Sequence, residues 1–119
     1  MKILIVDDDL DTRSLIEQYL RSSFPEASIY EATNGIEGYH MAMEVQPDLT
    51  LTDLSMPVAT GLDMIRLLRS AEFRQSIYVF SGRSELLDLL DESLINQPVF
   101  FKPIDLNIMV AAIAAEKQE

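Results

Sequence analysis

Apolar positions along the chain fall into two alternating kinds of segment. The first kind is short and continuous: Ile3-Leu4-Ile5-Val6, Leu49-Thr50-Leu51-Thr52, Ile77-Tyr78-Val79-Phe80 and Val99-Phe100-Phe101. Runs of this length, apolar or β-branched throughout, are strands buried on both faces. The second kind repeats at helical intervals, as in Leu15, Ile16, Tyr19 and Leu20, or Leu62, Ile65, Leu67 and Leu68. In chain order the pattern predicts a strand from Lys2 to Val6, then a helix capped by Asp9 or Asp11 and closed by Pro25. A short strand at Ser28-Ile29-Tyr30 follows, and after Asn34-Gly35 a helix from Ile36 to Val45 that stops before Pro47. A strand over Leu49 to Thr52 delivers Asp53, and Pro57 and Gly61 force a loop before the helix that begins at Leu62. The strand over Ile77 to Phe80 ends in Ser81-Gly82, and Ser84 to Leu94 carries leucines at helical spacing. Val99 to Phe101 leads into Lys102-Pro103 and a very apolar closing helix from Ile104 to Ala115.

Strand and helix thus alternate five times with short connections. That is the signature of a three-layer α/β domain, a (βα)5 doubly wound sheet of five parallel strands occupying the whole chain, 1–119. Ligands of such folds sit outside the carboxyl ends of the strands.

Composition narrows the class. At 119 residues with 48% hydrophobic side chains the chain is one globular domain with a proper core. No apolar run approaches the roughly 20 residues that span a bilayer, and the apolar start is too short for a signal peptide, so the expected compartment is the cytoplasm. There are no cysteines, which excludes disulfides and thiolate metal sites. A net charge of −11 argues against direct contact with nucleic acid. Part of the acid excess is bunched, at Asp7-Asp8-Asp9 and Asp11.

The predicted topology gathers Asp7 and Asp8, Asp53, Ser81 and Lys102 at one edge of the sheet. Clustered carboxylates repel unless a cation shares them, and a hard divalent ion such as Mg²⁺ suits oxygen ligands. A metal beside a lysine and a small hydroxyl is an arrangement for phosphoryl transfer, with Asp53 as a nucleophile able to form an acyl phosphate. Each residue alone has a plainer reading. Asp7 and Asp8 suit a helix start, Asp53 and Ser81 suit turns, and Lys102 suits the surface. His40 reads as a solvated or partly buried helix residue.

The stretches Lys2-Ile3-Leu4-Ile5-Val6-Asp7-Asp8, Pro47 through Pro57 with Asp53 inside it, Gly61, Ser81-Gly82 and Lys102-Pro103 resemble the receiver domain of two-component response regulators, over essentially the whole length. The resemblance implies a flavodoxin-like sheet of strand order 2-1-3-4-5. It implies that a histidine kinase or histidine phosphotransfer protein phosphorylates Asp53. Asp8, Asp53 and the Ser55 backbone carbonyl would hold Mg²⁺, with Asp7 helping through water. Lys102 would pair with the phosphoryl group, Ser81 would move to hydrogen-bond it, and Gly82 would leave room for the donor. The domain would speed the decay of its own acyl phosphate without being a conventional enzyme. It would act on a downstream protein or an output domain, as a monomer or weak dimer. The chain departs from the family at Val99, where an aromatic residue is usual, and in lacking a Gly-Ala pair between Glu92 and Pro98. These departures imply an altered switch face, or a role as phosphoryl relay or sink.

Two other readings are open to the same residues. One is a receiver-like module that binds proteins without taking phosphate. The other is a haloacid-dehalogenase-type phosphohydrolase with Asp7 as nucleophile and Asp9 as acid/base, weakened by Asp11 and by the absence of room for a cap domain. An EF-hand reading of Asp7, Asp9 and Asp11 lacks the turn glycine and the closing glutamate.

Overall fold

The computed structural model describes residues 1–56, 59–82 and 99–117. Within them the strands are β1 (Lys2–Val6), β2 (Ser28–Ala32), β3 (Leu49–Asp53), β4 (Ser76–Ser81) and β5 (Val99–Phe101). The helices are α1 (Leu10–Ser23), α2 (Gly35–Val45), α3 (Gly61–Ser70) and a closing helix, Leu106–Lys117. The strands form one sheet in the order β2-β1-β3-β4-β5, every pair parallel, as expected. The leucine-rich segment from Ser84 to Leu94 lies outside the described residues.

Why both faces of the sheet are covered follows from its side chains. Leu4, Val6, Ile77 and Val79 point to one layer with Ala42 of α2 and Leu62, Met64, Ile65 and Leu68 of α3. Ile3, Ile5, Leu51, Tyr78 and Phe80 point to the other with Ile16 and Leu20 of α1 and Met109 and Ile113 of the closing helix. A strand apolar at every position can only be satisfied by two such layers. β1 shows this directly, being buried from Ile3 through Val6.

The element edges differ from the sequence reading in instructive places. β2 runs two residues past Tyr30, because Glu31 and Ala32 pair in register with Ile5 and Val6. The closing helix starts at Leu106 rather than Ile104, since Asp105 caps it: its Oδ1 accepts from the N–H groups of Asn107 and Ile108 at 3.0 and 3.2 Å. Asp9, not Asp11, caps α1. Leu15 and Leu67, counted with the helical apolar stripes, are about half exposed at 48% and 50%.

The loops at the carboxyl edge are held by close backbone approach. Gly61 N–H donates to Leu54 O at 3.1 Å, and a Cβ on Gly61 would lie 2.0 Å from the Asp53 carbonyl oxygen. Only glycine lets α3 begin so close to the end of β3.

Candidate functional site

Four strand ends converge at the carboxyl edge. β1 ends at Val6 and the turn to α1 carries Asp7 and Asp8. Asp7 is fully buried, and its Oδ1 accepts from Asp9 N–H at 2.8 Å. Its Oδ2 is buried and has no hydrogen-bond partner among the described residues. Asp8 is exposed at the mouth of the site. Asp53 closes β3 and is nearly buried, with Oδ1 accepting from Ser55 N–H at 3.0 Å. The turn role foreseen as the plainer reading of Asp53 is therefore real, and it occupies only one of the two carboxylate oxygens.

The other oxygen meets Lys102. The Lys102 ammonium lies 2.8 Å from Asp53 Oδ2 and 3.5 Å from Asp7 Oδ2. Lys102 is placed by the sheet itself, its N–H donating to Ser81 O at 2.9 Å just past β5. Ser81 is the last residue of β4 and buried. So the topology brings Asp7, Asp8, Asp53, Ser81 and Lys102 to one edge. Gly82 is exposed beside them, and a Cβ there would make only ordinary contact, 3.7 Å from Lys102 Cβ. His40 stands exposed on α2.

Electrostatics sharpen the picture. Burial pushes the Asp7 carboxyl above the usual carboxylate range. The Asp9 N–H and the Lys102 charge pull the other way without offsetting it, and Asp53 and Asp8 add repulsion. Burial pulls the Lys102 ammonium down, but the hydrogen bond and charge of Asp53, with the charge of Asp7, more than compensate and leave it above its ordinary value. One carboxylate oxygen from each of Asp7, Asp8 and Asp53 lies within 4.8 Å of the others. A buried carboxylate oxygen that accepts no hydrogen bond among the described residues, beside two more carboxylates, is a donor set for a hard dication.

Two neighbours escaped the sequence reading. Arg13, one turn into α1, donates from Nη1 to Asp7 O at 2.7 Å and pairs through Nε with Glu31 of β2 at 3.2 Å. Its only signal was a cation just downstream of the acid cluster. Phe80 brings its ring to 5.5 Å from the Lys102 ammonium, and its sequence signal was indistinguishable from core.

The response regulator receiver domain model matches residues 3–114. The chain belongs to the response-regulator receiver family. Its relatives include a probable transcriptional regulatory protein, SilR, of Salmonella typhimurium, 45% identical over 73 residues, covering 60% of this chain and 30% of that protein. The cell cycle transcriptional regulator CtrA of Caulobacter vibrioides is 35% identical over 86 residues, covering 72% of this chain and 36% of that one. This receiver therefore spans about a third of the length of the curated relatives it matches. Among solved structures, the N-terminal domain of an uncharacterized protein from Wolinella succinogenes superposes with a TM-score of 0.89 at 27% identity, covering 99% of this chain and 94% of that one. The signal receiver domain of a DNA-binding response regulator from Colwellia psychrerythraea superposes at 0.85 and 23% identity, covering 100% and 99%, and that likeness speaks to the fold. Receivers are the phosphoacceptor signalling domains of two-component systems and bind Mg²⁺ at an acidic pocket. No helix among the described residues is long and apolar enough to cross a membrane.

Proposed function

We propose that Asp53 is the phosphoacceptor of this receiver, with Lys102 and Ser81 as partners of the phosphoryl group. Asp8, Asp53 and the Ser55 carbonyl are the proposed Mg²⁺ ligands, and Asp7 holds a metal-bound water. The observation that carries this reading is the Lys102 ammonium 2.8 Å from Asp53 and 3.5 Å from a buried Asp7 oxygen that accepts no hydrogen bond among the described residues. Bound Mg²⁺ supplies charge neutralisation for phosphoryl oxygens. In the transfer, a carboxylate oxygen of Asp53 forms a bond to phosphorus while the phosphorus–nitrogen bond of a phosphohistidine breaks. The imidazole that leaves takes its proton from solvent. Lys102, already at the acceptor, stabilises charge on the equatorial oxygens with little reorganisation. Ser81, at the end of β4, adds a hydroxyl donor.

The donor in this reading is a sensor histidine kinase or a histidine phosphotransfer protein, in the cytoplasm, and 1–119 acts as one receiver unit upstream of a partner protein or output domain. Self-catalysed hydrolysis of the acyl phosphate would end the signal. The phosphohydrolase alternative is disfavoured by Asp9, the acid/base it requires. That carboxylate caps α1, accepting from Thr12 Oγ1 at 2.6 Å and Asp11 N–H at 3.3 Å. The Thr12 hydroxyl holds it below the usual range, the wrong direction for a general acid. At the position where the family usually carries an aromatic residue, Val99 packs half-buried on the layer formed with α2 and α3. Phe100 turns to the other layer against Tyr78. That arrangement favours an altered switch or a relay role.

Intact mass after treatment with a small-molecule phosphodonor and Mg²⁺ tests the assignment. One phosphoryl increment is expected on the wild type, lost with chelator and absent from Asp53→Ala. An increment persisting in Asp53→Ala would transfer the nucleophile to another residue, Asp7 first.

A further inference from the structure

Among the described residues, three groups surround the Lys102 ammonium: Asp53 Oδ2, Asp7 Oδ2 and the ring of Phe80. The two carboxylates belong to the acid cluster that a dication would claim, so their hold on Lys102 weakens when metal enters. The ring carries no charge and does not compete for metal. It attracts a cation through its quadrupole within about 6 Å of the centroid, and here the separation is 5.5 Å.

Phe80 is also placed with care. It is fully buried and stands opposite Asp53 in the β3–β4 register. Its carbonyl accepts from Leu54 N–H at 3.3 Å, so the strand that carries the ring is tied to the residue following the acceptor. Lys102 leaves β5 one strand further on, with its side chain about a third exposed.

We propose that Phe80 is a positioning residue for Lys102, its ring holding the ammonium over the acceptor when the carboxylates are engaged by metal and phosphoryl group. This rests on reading Asp53 as the acceptor and Lys102 as the phosphoryl partner. The ring acts in the loaded state above all, where it is the contact that does not change allegiance. It also stiffens a long side chain whose rotamer freedom would otherwise be lost on each transfer.

The test places phenylalanines with one, two and three ring fluorines at position 80 of the full chain, by site-specific incorporation. Fluorine drains the ring quadrupole in steps while nearly preserving shape. Affinity for beryllofluoride in the presence of Mg²⁺, followed by amide shifts, is expected to fall stepwise. Across the series the loss is about threefold, the lower range for a partly exposed cation–π pair. Thermal midpoints of the same proteins monitor packing. A second readout is the ε-methylene proton shift of Lys102, upfield in the wild type through ring current and relaxed in Phe80→Leu. A flat affinity series, or unshifted Lys102 protons in the wild type, overturns the proposal. Beryllofluoride binding that is absent from wild type, or unchanged in Asp53→Ala, overturns the acceptor reading and this proposal with it. Binding lost in Asp53→Ala but flat across the fluorinated series overturns this proposal alone.

Discussion

Asp7 carries a charge where solvent does not reach. Its Oδ2 is buried without a hydrogen bond among the described residues, with the Lys102 ammonium 3.5 Å away, and burial lifts its pKa above the ordinary 3.8. In metal-free protein this is a cost. Between 3.8 and the raised folded value the folded chain keeps a proton that the unfolded chain has released. The stability tied to this proton is complete below the unfolded value and lost as pH climbs through the folded one. Asp7→Asn removes the charge and keeps an acceptor for Asp9 N–H. Urea unfolding in chelator should show the variant more stable at neutral pH by about 1–2 kcal/mol, the scale of an unsatisfied buried group. It should also show a flatter stability profile across the acidic window, with weaker Mg²⁺ binding. An Asn variant less stable than wild type at neutral pH would mean that the Lys102 contact outweighs the burial cost. Residues differ in how much of this the sequence discloses. That Asp7 follows a strand is visible in the order of the letters. That one of its oxygens, or the buried Thr50 hydroxyl of β3, has no hydrogen bond among the described residues depends on neighbours brought from other elements.

Between elements, the far edge of the sheet is closed by Glu116. From the last turn of the closing helix its carboxylate accepts hydrogen bonds from both Ser76 and Tyr78 hydroxyls of β4. Tyr78 is fully buried, and its phenol is pushed well above the usual range by burial and then by Glu116. Truncation at Glu116 leaves that phenol without its carboxylate. Glu116→Ala should therefore cost about 1–3 kcal/mol. Tyr78→Phe, introduced into the Ala background, should recover part of it by deleting the stranded hydroxyl. Chemical denaturation of the four proteins in the cycle reads this out, and strictly additive losses would show that the clamp contributes nothing of its own. The strands themselves were legible because continuous apolar runs bounded by Pro, Asp and Gly have few other solutions. The helix faces were less so. Period places Leu15 and Leu67 on a stripe but does not say where the stripe ends, and both stand about half exposed at its margin. The closing helix was begun two residues early because Ile104 is apolar, while the capping chemistry lies in Asp105.

For the whole molecule, topology turns a sequence of weak signals into one site. Parallel order β2-β1-β3-β4-β5 puts the ends of β1 and β3 side by side and that of β5 just beyond β4, so Asp7, Asp53 and Lys102 meet although no local pattern links them. The pairings that the order leaves unstated, Arg13 with the Asp7 carbonyl and Phe80 with Lys102, are the part of the site that letters alone did not give. The same molecule carries a net charge of −11, so any cation stabilises it to some degree by screening. Specific Mg²⁺ binding is separable from screening. A ligand that binds only the folded state stabilises it by about 2.7 kcal/mol at a hundredfold excess over its dissociation constant. Thermal melts should therefore climb with the logarithm of Mg²⁺ concentration above its dissociation constant, while a sodium salt brought to the same ionic strength gives only a small rise. In Asp53→Ala the Mg²⁺-specific component should vanish and the screening component remain. Equal responses to the two salts in the wild type would mean that the three carboxylates are no more than part of an acidic surface.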